Sequence, residues 1–166
     1  MFLRIFPHEE LPNALYWAGN EPSIFAVWLF NWADRADLAQ NYSRALLTRR
    51  YTPTREIGLP GNDDFGTISA WATFAALGFY PQAGNTTYAL GSPVFPDVVI
   101  NRAEQYGGPI HIVAQGASDS NVFVQSVTLG AQQLTQPFIE HAQLGANTIT
   151  FTMDSTPNRQ AFKKKQ

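Results

Sequence analysis

Gly58-Leu59-Pro60-Gly61-Asn62-Asp63-Asp64-Phe65-Gly66 runs without a break into Thr67-Ile68-Ser69-Ala70-Trp71, so a glycine-rich turn crowded with carboxylates opens onto an apolar helical pattern. Pro60, Gly61 and Gly66 interrupt regular structure on both sides. Ile68, Trp71, Ala72 and Ala75 then recur at the i, i+3, i+4, i+7 spacing of a helix with one buried face, which predicts a helix over 67–77 stopped by Gly78. Asp63 and Asp64 fall at or just before its N-terminus. There the unpaired N–H groups and the positive end of the helix dipole favour an ionised carboxylate. An ordinary cap accounts for such a pair by itself, because aspartate is a common N-cap. A second polar turn upstream, Gly19-Asn20-Glu21-Pro22, also placed before a helix, shifts the weight toward a site.

Two kinds of periodicity divide the chain. From Pro22 to about Tyr80 the pattern is helical, with Pro22 in a first turn and Ile24, Val27, Trp28 and Asn31 on one face. A second helix is predicted from Asp34, with Asp37 completing a capping-like pair, Leu38, Tyr42, Ala45 and Leu46 buried, and Arg49 and Arg50 in its last turn. From about Asn85 the pattern changes to short runs rich in β-branched and aromatic residues, at 88–90, 98–100, 110–113, 122–129 and 148–153. The chain therefore reads as α+β. A helical segment over 1–84 is followed by an antiparallel β-sandwich over 85–160, joined near 82–85, with a solvated, disordered tail over 161–166.

Composition removes several functions. The 166 residues are long enough for a real core, and 45% hydrophobic with 14% charged is ordinary for a globular chain, if low in charge. A net charge of -2 argues against nucleic acid as a partner, and Arg44, Arg49, Arg50 and Arg55 read as a solvated helix end. No cysteine is present, so disulfide and thiol chemistry are excluded. Met1 to Phe6 is cut off by Pro7 too early for a signal peptide, and the longest apolar run, 24–30, is far short of a membrane span. His8, His111 and His141 lack metal-ligand spacing. Asn41-Tyr42-Ser43 and Asn85-Thr86-Thr87 fit the glycosylation triplet, which recurs by chance, and Asp119-Ser120-Asn121 reads as a hairpin turn. Twelve Phe, six Tyr and four Trp suggest a large core or helix faces meant to be covered.

Five short pieces occur in a telling order: Gly19-Asn20-Glu21-Pro22, Gly58 to Asp64, Ser69-Ala70-Trp71, Leu77-Gly78-Phe79-Tyr80-Pro81 and Leu90-Gly91-Ser92-Pro93. Together they resemble the C-terminal part of glycoside hydrolase family 92, the calcium-dependent exo-acting α-mannosidases. The resemblance runs from about Leu11 to about Phe162. It implies a fold in which the helices are the last part of an (α/α)6 barrel and the strands a β-sandwich packed on it. It implies a reaction as well: hydrolysis of terminal α-mannose, as on N-glycans, with inversion. A carboxylic acid protonates the leaving oxygen and an aspartate cluster activates water.

Carried onto this chain, the cluster is Asn62, Asp63 and Asp64, with Asp64 as general base and Asn62 as its positioning partner. Asn20 and Glu21 match the turn at the bound sugar and calcium, and a hard cation prefers the amide, carboxylate and backbone oxygens found there. Trp17, beside that turn, is a candidate platform for a sugar ring, and core packing is the alternative role. Two departures stand out. Family members often carry a histidine soon after the Gly-Asn-Glu-Pro turn, where this chain reads Ser23-Ile24-Phe25-Ala26. The family's proton-donating glutamate precedes that turn, and only Glu9 and Glu10 precede it here, in an acidic loop that does not match the donor's motif. The expectation is a chain that carries the base and calcium side of the site and relies on a further segment for the acid. The alternatives are a sugar-binding module or pseudoenzyme, and a truncated product without a function of its own.

Overall fold

The computed structural model describes residues 16–54, 58–145 and 148–163. His8, Glu9, Glu10, Arg55 and the lysines at 164 and 165 lie outside them. The element order is α1 (Glu21–Ile24), a 3-10 helix (Ala26–Ala33), α2 (Ala36–Arg50), α3 (Thr67–Leu77), then β1 (Phe79–Pro81), β2 (Thr87–Leu90), β3 (Asp97–Ile100), β4 (Ile110–Gln115), β5 (Phe123–Leu129), β6 (Gln132–Gln133), β7 (Phe138–Glu140) and β8 (Ile149–Asp154), with short 3-10 turns at Glu104–Tyr106 and His141–Gln143. The chain is α+β with two sheets. No helix among the described residues is long and apolar enough to cross a membrane.

The stretch read as one helix from Pro22 is α1 followed by eight residues of 3-10 helix, long for that form. The expected face is nonetheless the buried one, since Ile24, Val27, Trp28 and Asn31 all lie inside. Asn31 Nδ2 donates to the Leu90 carbonyl at 2.8 Å, and the Trp28 ring lies so close to Gly91 that a Cβ there would stand 2.6 Å away. These two contacts pin the 3-10 segment to the end of β2. It stops at Asp34, whose backbone is left-handed (φ 55) and whose N–H bonds Phe30 O, so α2 begins at Ala36 rather than at Asp34. Asp37 is not part of a cap. Both its oxygens accept from the Arg35 guanidinium at 2.8 Å.

α2 buries more polarity than its apolar stripe foretells. Gln40 Oε1 accepts the Val124 N–H at 3.0 Å, next to the register shift between Val124 and Ser126 in the β5–β8 pairing. A bulge there frees an amide, and the helix supplies its acceptor. Arg44, expected in a solvated cluster, is 6% exposed and donates to the carbonyls of Pro93 and Ser118. Burial lowers its pKa, and it stays charged. α3 runs Thr67–Leu77 as predicted, buries Ile68, Trp71 and Ala75, and ends at Gly78 (φ 88), whose N–H caps Phe74 and Ala75 carbonyls. Trp71 Nε1 donates to Ile24 O at 3.0 Å, tying α3 to α1.

One sheet is β1-β2-β7, and the other is β3-β4-β8-β5-β6. The all-antiparallel expectation fails at one place: β4 and β8 are parallel, with Ile112 opposite Ile149 and Gln115 opposite Thr152. Because β8 lies between β4 and β5, the loop around Asp119 crosses over β8 and is not a hairpin turn. Residues 82–85, expected as a junction, are instead the turn of the β1–β2 hairpin, in which Phe79 faces Leu90 and Pro81 faces Tyr88. The helical half thus enters the first sheet directly through Gly78. A core of Phe79, Leu90, Ile112, Val127, Ile139 and Phe151 draws on both sheets, and Ala161 and Phe162 join it. The tail expected from 161 is therefore packed through Phe162, because an aromatic side chain there covers sheet residues.

Candidate active site

The two polar turns meet backbone to backbone. A Cβ on Gly19 would stand 2.7 Å from Pro60 O and 2.8 Å from Gly61 N, and a Cβ on Gly61 would stand 2.9 Å from Gly19 O. Glycine at both positions is what permits the approach. Trp17 Nε1 donates to Pro60 O at 3.1 Å, and its ring lies against Gly61. Trp17 therefore clamps the second turn to the first.

Asn20 stands at the start of α1 with extended backbone (φ -120, ψ 115), and its side chain makes no capping bond. Its carbonyl accepts the Ser23 N–H at 2.8 Å, so the turn is fixed by backbone while the amide is left exposed. Glu21 is exposed beside it. It borders an open groove of about 520 Å³, shared with Phe25, Thr67, Tyr80 and Gln82, that runs from the start of α1 past the start of α3 to the end of β1. Phe25 lies in the apolar stretch that follows the turn, and its ring packs 6.1 Å from that of Tyr80.

In the second turn the aspartates have different tasks. Asp63 Oδ1 accepts the Ser69 N–H at 2.8 Å, and its carbonyl accepts the Ile68 N–H at 3.1 Å, so Asp63 satisfies the first turn of α3. The Asp64 carbonyl takes the Thr67 N–H at 3.1 Å, but its carboxylate has no partner among the described residues. Gly66, not an aspartate, occupies the N-cap position. Asp64, Phe65 and Gly66 are successively left-handed, with φ of 49, 56 and 90. For a non-glycine residue this conformation costs about 1–2 kcal/mol, and such strain collects at functional sites. Phe65 is fully exposed, an aromatic ring on a strained turn that the sequence reading passed over. Asn62 is exposed beside the aspartates.

Beneath these turns is an aromatic layer. Tyr51 stacks on Trp71 at 5.3 Å and Trp28 on Tyr80 at 5.3 Å. Burial pushes the Tyr16 and Tyr51 hydroxyls well above the usual phenol range, and neighbouring tyrosines, with Asp63 at Tyr51, add to the effect. Both remain protonated, and neither has a partner among the described residues. Tyr80 was within reach of sequence reading, since it lies two residues after the glycine that stops α3, within Leu77-Gly78-Phe79-Tyr80-Pro81. Tyr16 and Tyr51 carry no such signal.

The candidate metal ligands Asn20 and Glu21 suit a hard cation in kind, offering only oxygen. They fall short in number. Among the described residues no three His, Cys, Asp or Glu side chains gather closely enough to hold an ion. His111, on β4, pairs with Asp97 at 3.1 Å, and His141, just after β7, meets the Tyr88 hydroxyl through Nδ1 at 2.9 Å.

Comparison with known proteins gives the same family from sequence and from fold. The family description "Glycosyl hydrolase family 92 catalytic domain" matches residues 4–155. An "Uncharacterized secreted glycosidase" of Arthroderma benhamiae is 32% identical over 145 residues, 85% of this chain and 18% of that protein. A family GH92 α-mannosidase from Bacteroides thetaiotaomicron, solved in complex with mannoimidazole, matches with a TM-score of 0.82 at 28% identity, over 89% of this chain and 19% of that one. A family GH92 inverting mannosidase from Bacteroides thetaiotaomicron VPI-5482 matches at 0.79 and 29%, over 88% of this chain and 20% of that one. The chain spans about a fifth of the length of these relatives. With the family match running through nearly all of it, the chain belongs to glycosyl hydrolase family 92.

Proposed function

We propose that the chain supplies the general-base side of an inverting exo-α-mannosidase that acts on terminal α-mannose of glycans such as N-glycans. The observation that carries this reading is the clamp of Gly19, Trp17, Pro60 and Gly61, which sets the Asn20-Glu21 turn beside the Asn62-Asp63-Asp64 turn. Support comes also from the relatives, one a mannosidase solved with mannoimidazole and another described as inverting. In the same reading α1 to α3 are the last part of an (α/α)6 barrel, and the two sheets form the β-sandwich packed on it.

The division of labour follows from the hydrogen bonds. Asp63 is held by the α3 amides, leaving Asp64 as the carboxylate with free acceptor capacity. Asp64 takes a proton from water as that water attacks the anomeric carbon from the face opposite the leaving oxygen. The glycosidic C–O bond breaks, and the leaving oxygen receives a proton from an acid outside the described residues. Inversion requires the two carboxyls to stand roughly 6.5–9.5 Å apart, with water between. Asn62 orients the water or the base, Trp17 holds the turns and offers an indole for the sugar, and Asn20 and Glu21 contact sugar hydroxyls. Calcium, were it bound, would supply positive charge at the sugar, with Asn20 and Glu21 among the residues that would hold it. The described residues do not complete that shell, so no step here depends on the ion.

The test is hydrolysis of an aryl α-mannoside by the complete enzyme, with the anomeric form of the first product read by NMR. β-Mannose as the first product supports the reading. α-Mannose, or no turnover of any α-mannoside, defeats it.

A further inference from the structure

Asn31, Trp32, Asp34, Phe138 and Arg159 border a second cleft, of about 230 Å³, where the end of the 3-10 helix meets the β6–β7 connection and the C-terminal segment. It shares no lining residue with the groove beside Glu21. The two are neighbours, because Phe25 of that groove meets the Trp32 ring at 5.7 Å.

The cleft combines an aromatic wall with unpaired polar groups. Trp32 is 46% exposed although its ring is braced by Phe138 at 4.5 Å. Asn31 is 2% exposed, and while its Nδ2 is held by Leu90 O, its Oδ1 has no partner among the described residues. A buried acceptor left unmade is costly. Asp34 holds a left-handed backbone (φ 55) and an exposed carboxylate without a partner among the described residues. Arg159 is 64% exposed at its side chain, with only a long approach of 3.9 Å to Asp37. The cleft is bordered by Arg159 and Lys163 as well as by Asp34, so it presents charges of both signs, and a purely apolar ligand would leave them unpaired. A ring with one apolar face and several hydroxyls satisfies all of them. The volume lies below the roughly 300–1,000 Å³ of drug-sized sites, which suits a single ring.

We propose that this cleft binds one hexopyranose residue, separate from the sugar held at the paired turns. The choice of mannose as the probe rests on the mannosidase reading; the cleft itself does not. Methyl α-mannoside titrated into the protein, followed by the indole N–H signals of the tryptophans in NMR, should shift the Trp32 signal. Trp32→Ala and Arg159→Ala should each weaken this binding by about tenfold or more, and both should leave hydrolysis of an aryl α-mannoside by the complete enzyme unchanged. Arg159→Ala guards against a packing effect of the tryptophan change. A Trp32 signal that does not move, or two variants that bind the sugar as the wild type does, overturns the proposal even if the enzyme hydrolyses mannosides. A shifted Trp32 signal in a protein without mannosidase activity supports the cleft and defeats only the reading of the turns.

Discussion

Gly19 and Gly61 are in backbone contact, with a Cβ on either one placed within 2.9 Å of the other residue's turn. Neither atom on the far side belongs to a flexible side chain, so an added methyl must move one turn off the other. Gly61→Ala is expected to destabilise the protein by about 1–3 kcal/mol and to lower kcat/KM on mannosides further than folding explains. Thermal melting and kinetics on the complete enzyme check this. A variant with wild-type values in both would show that the contact is dispensable.

Trp17 offers a gentler test of the same clamp. Trp17→Phe keeps an aromatic ring but removes the N–H that bonds Pro60 O. The expected loss is about 0.5–1.5 kcal/mol in denaturant unfolding. If Trp17 also offers its face to the sugar, KM should rise less than in Trp17→Ala, because phenylalanine retains a stacking surface.

Asp37 carries a pH signature. The two bonds from Arg35 hold its carboxyl below the usual carboxylate range, against a burial effect that works the other way. A pKa lower in the folded than in the unfolded state means stability that is present above the unfolded value and lost as pH falls through the folded one. Asp37→Asn should therefore melt lower than the wild type at pH 7. The gap should narrow below about pH 4. A deficit that stays constant down to pH 2 would indicate a packing role.

How much of this was legible in sequence depended on where each partner lay. α3 was readable to the residue because its apolar period is local and glycines close both ends. The 3-10 segment was not, since positions 24, 27, 28 and 31 satisfy a helical stripe with either winding. β1 was hidden by its three-residue length and its proline. The parallel β4–β8 pair could not be seen because alternation gives a strand its faces and says nothing of its neighbour. Arg44 was misjudged, and Gln40 passed over, for a related reason: their partners Pro93 and Val124 lie 49 and 84 residues away. The site divides the same way. Both polar turns were legible as motifs, whereas the division between Asp63 as cap and Asp64 as free carboxylate needed the left-handed run through Phe65.

Residues 1–166 on their own provide another check on the proposed division of the site. Loss of a general acid costs about 10²–10⁴ in rate, and loss of the rest of the sugar cleft adds to it through positioning. No measurable turnover of an aryl α-mannoside is expected from this polypeptide alone. Robust turnover would place an acid within these residues and recast the roles assigned to Asp63 and Asp64.

The roles of the two aspartates separate in a paired experiment. Asp63 accepts the Ser69 amide at 2.8 Å, so Asp63→Ala should cost about 0.5–2 kcal/mol, as a lost cap does, whereas Asp63→Asn should be nearly silent in melting because asparagine can accept the same bond. Asp64 makes no such bond with its side chain, so Asp64→Asn should melt like the wild type. If Asp64 is the general base, the same change removes the proton acceptor while keeping shape, and kcat should fall by about 10² or more with KM largely kept. Asparagine also tolerates the left-handed backbone found at this position (φ 49), so strain does not confound the comparison. An Asp64→Asn enzyme that melts normally and hydrolyses mannosides near the wild-type rate would remove Asp64 from the mechanism. The base would then have to be Asp63, at the expense of its bond to α3, and Asp63→Asn would become the variant that loses activity.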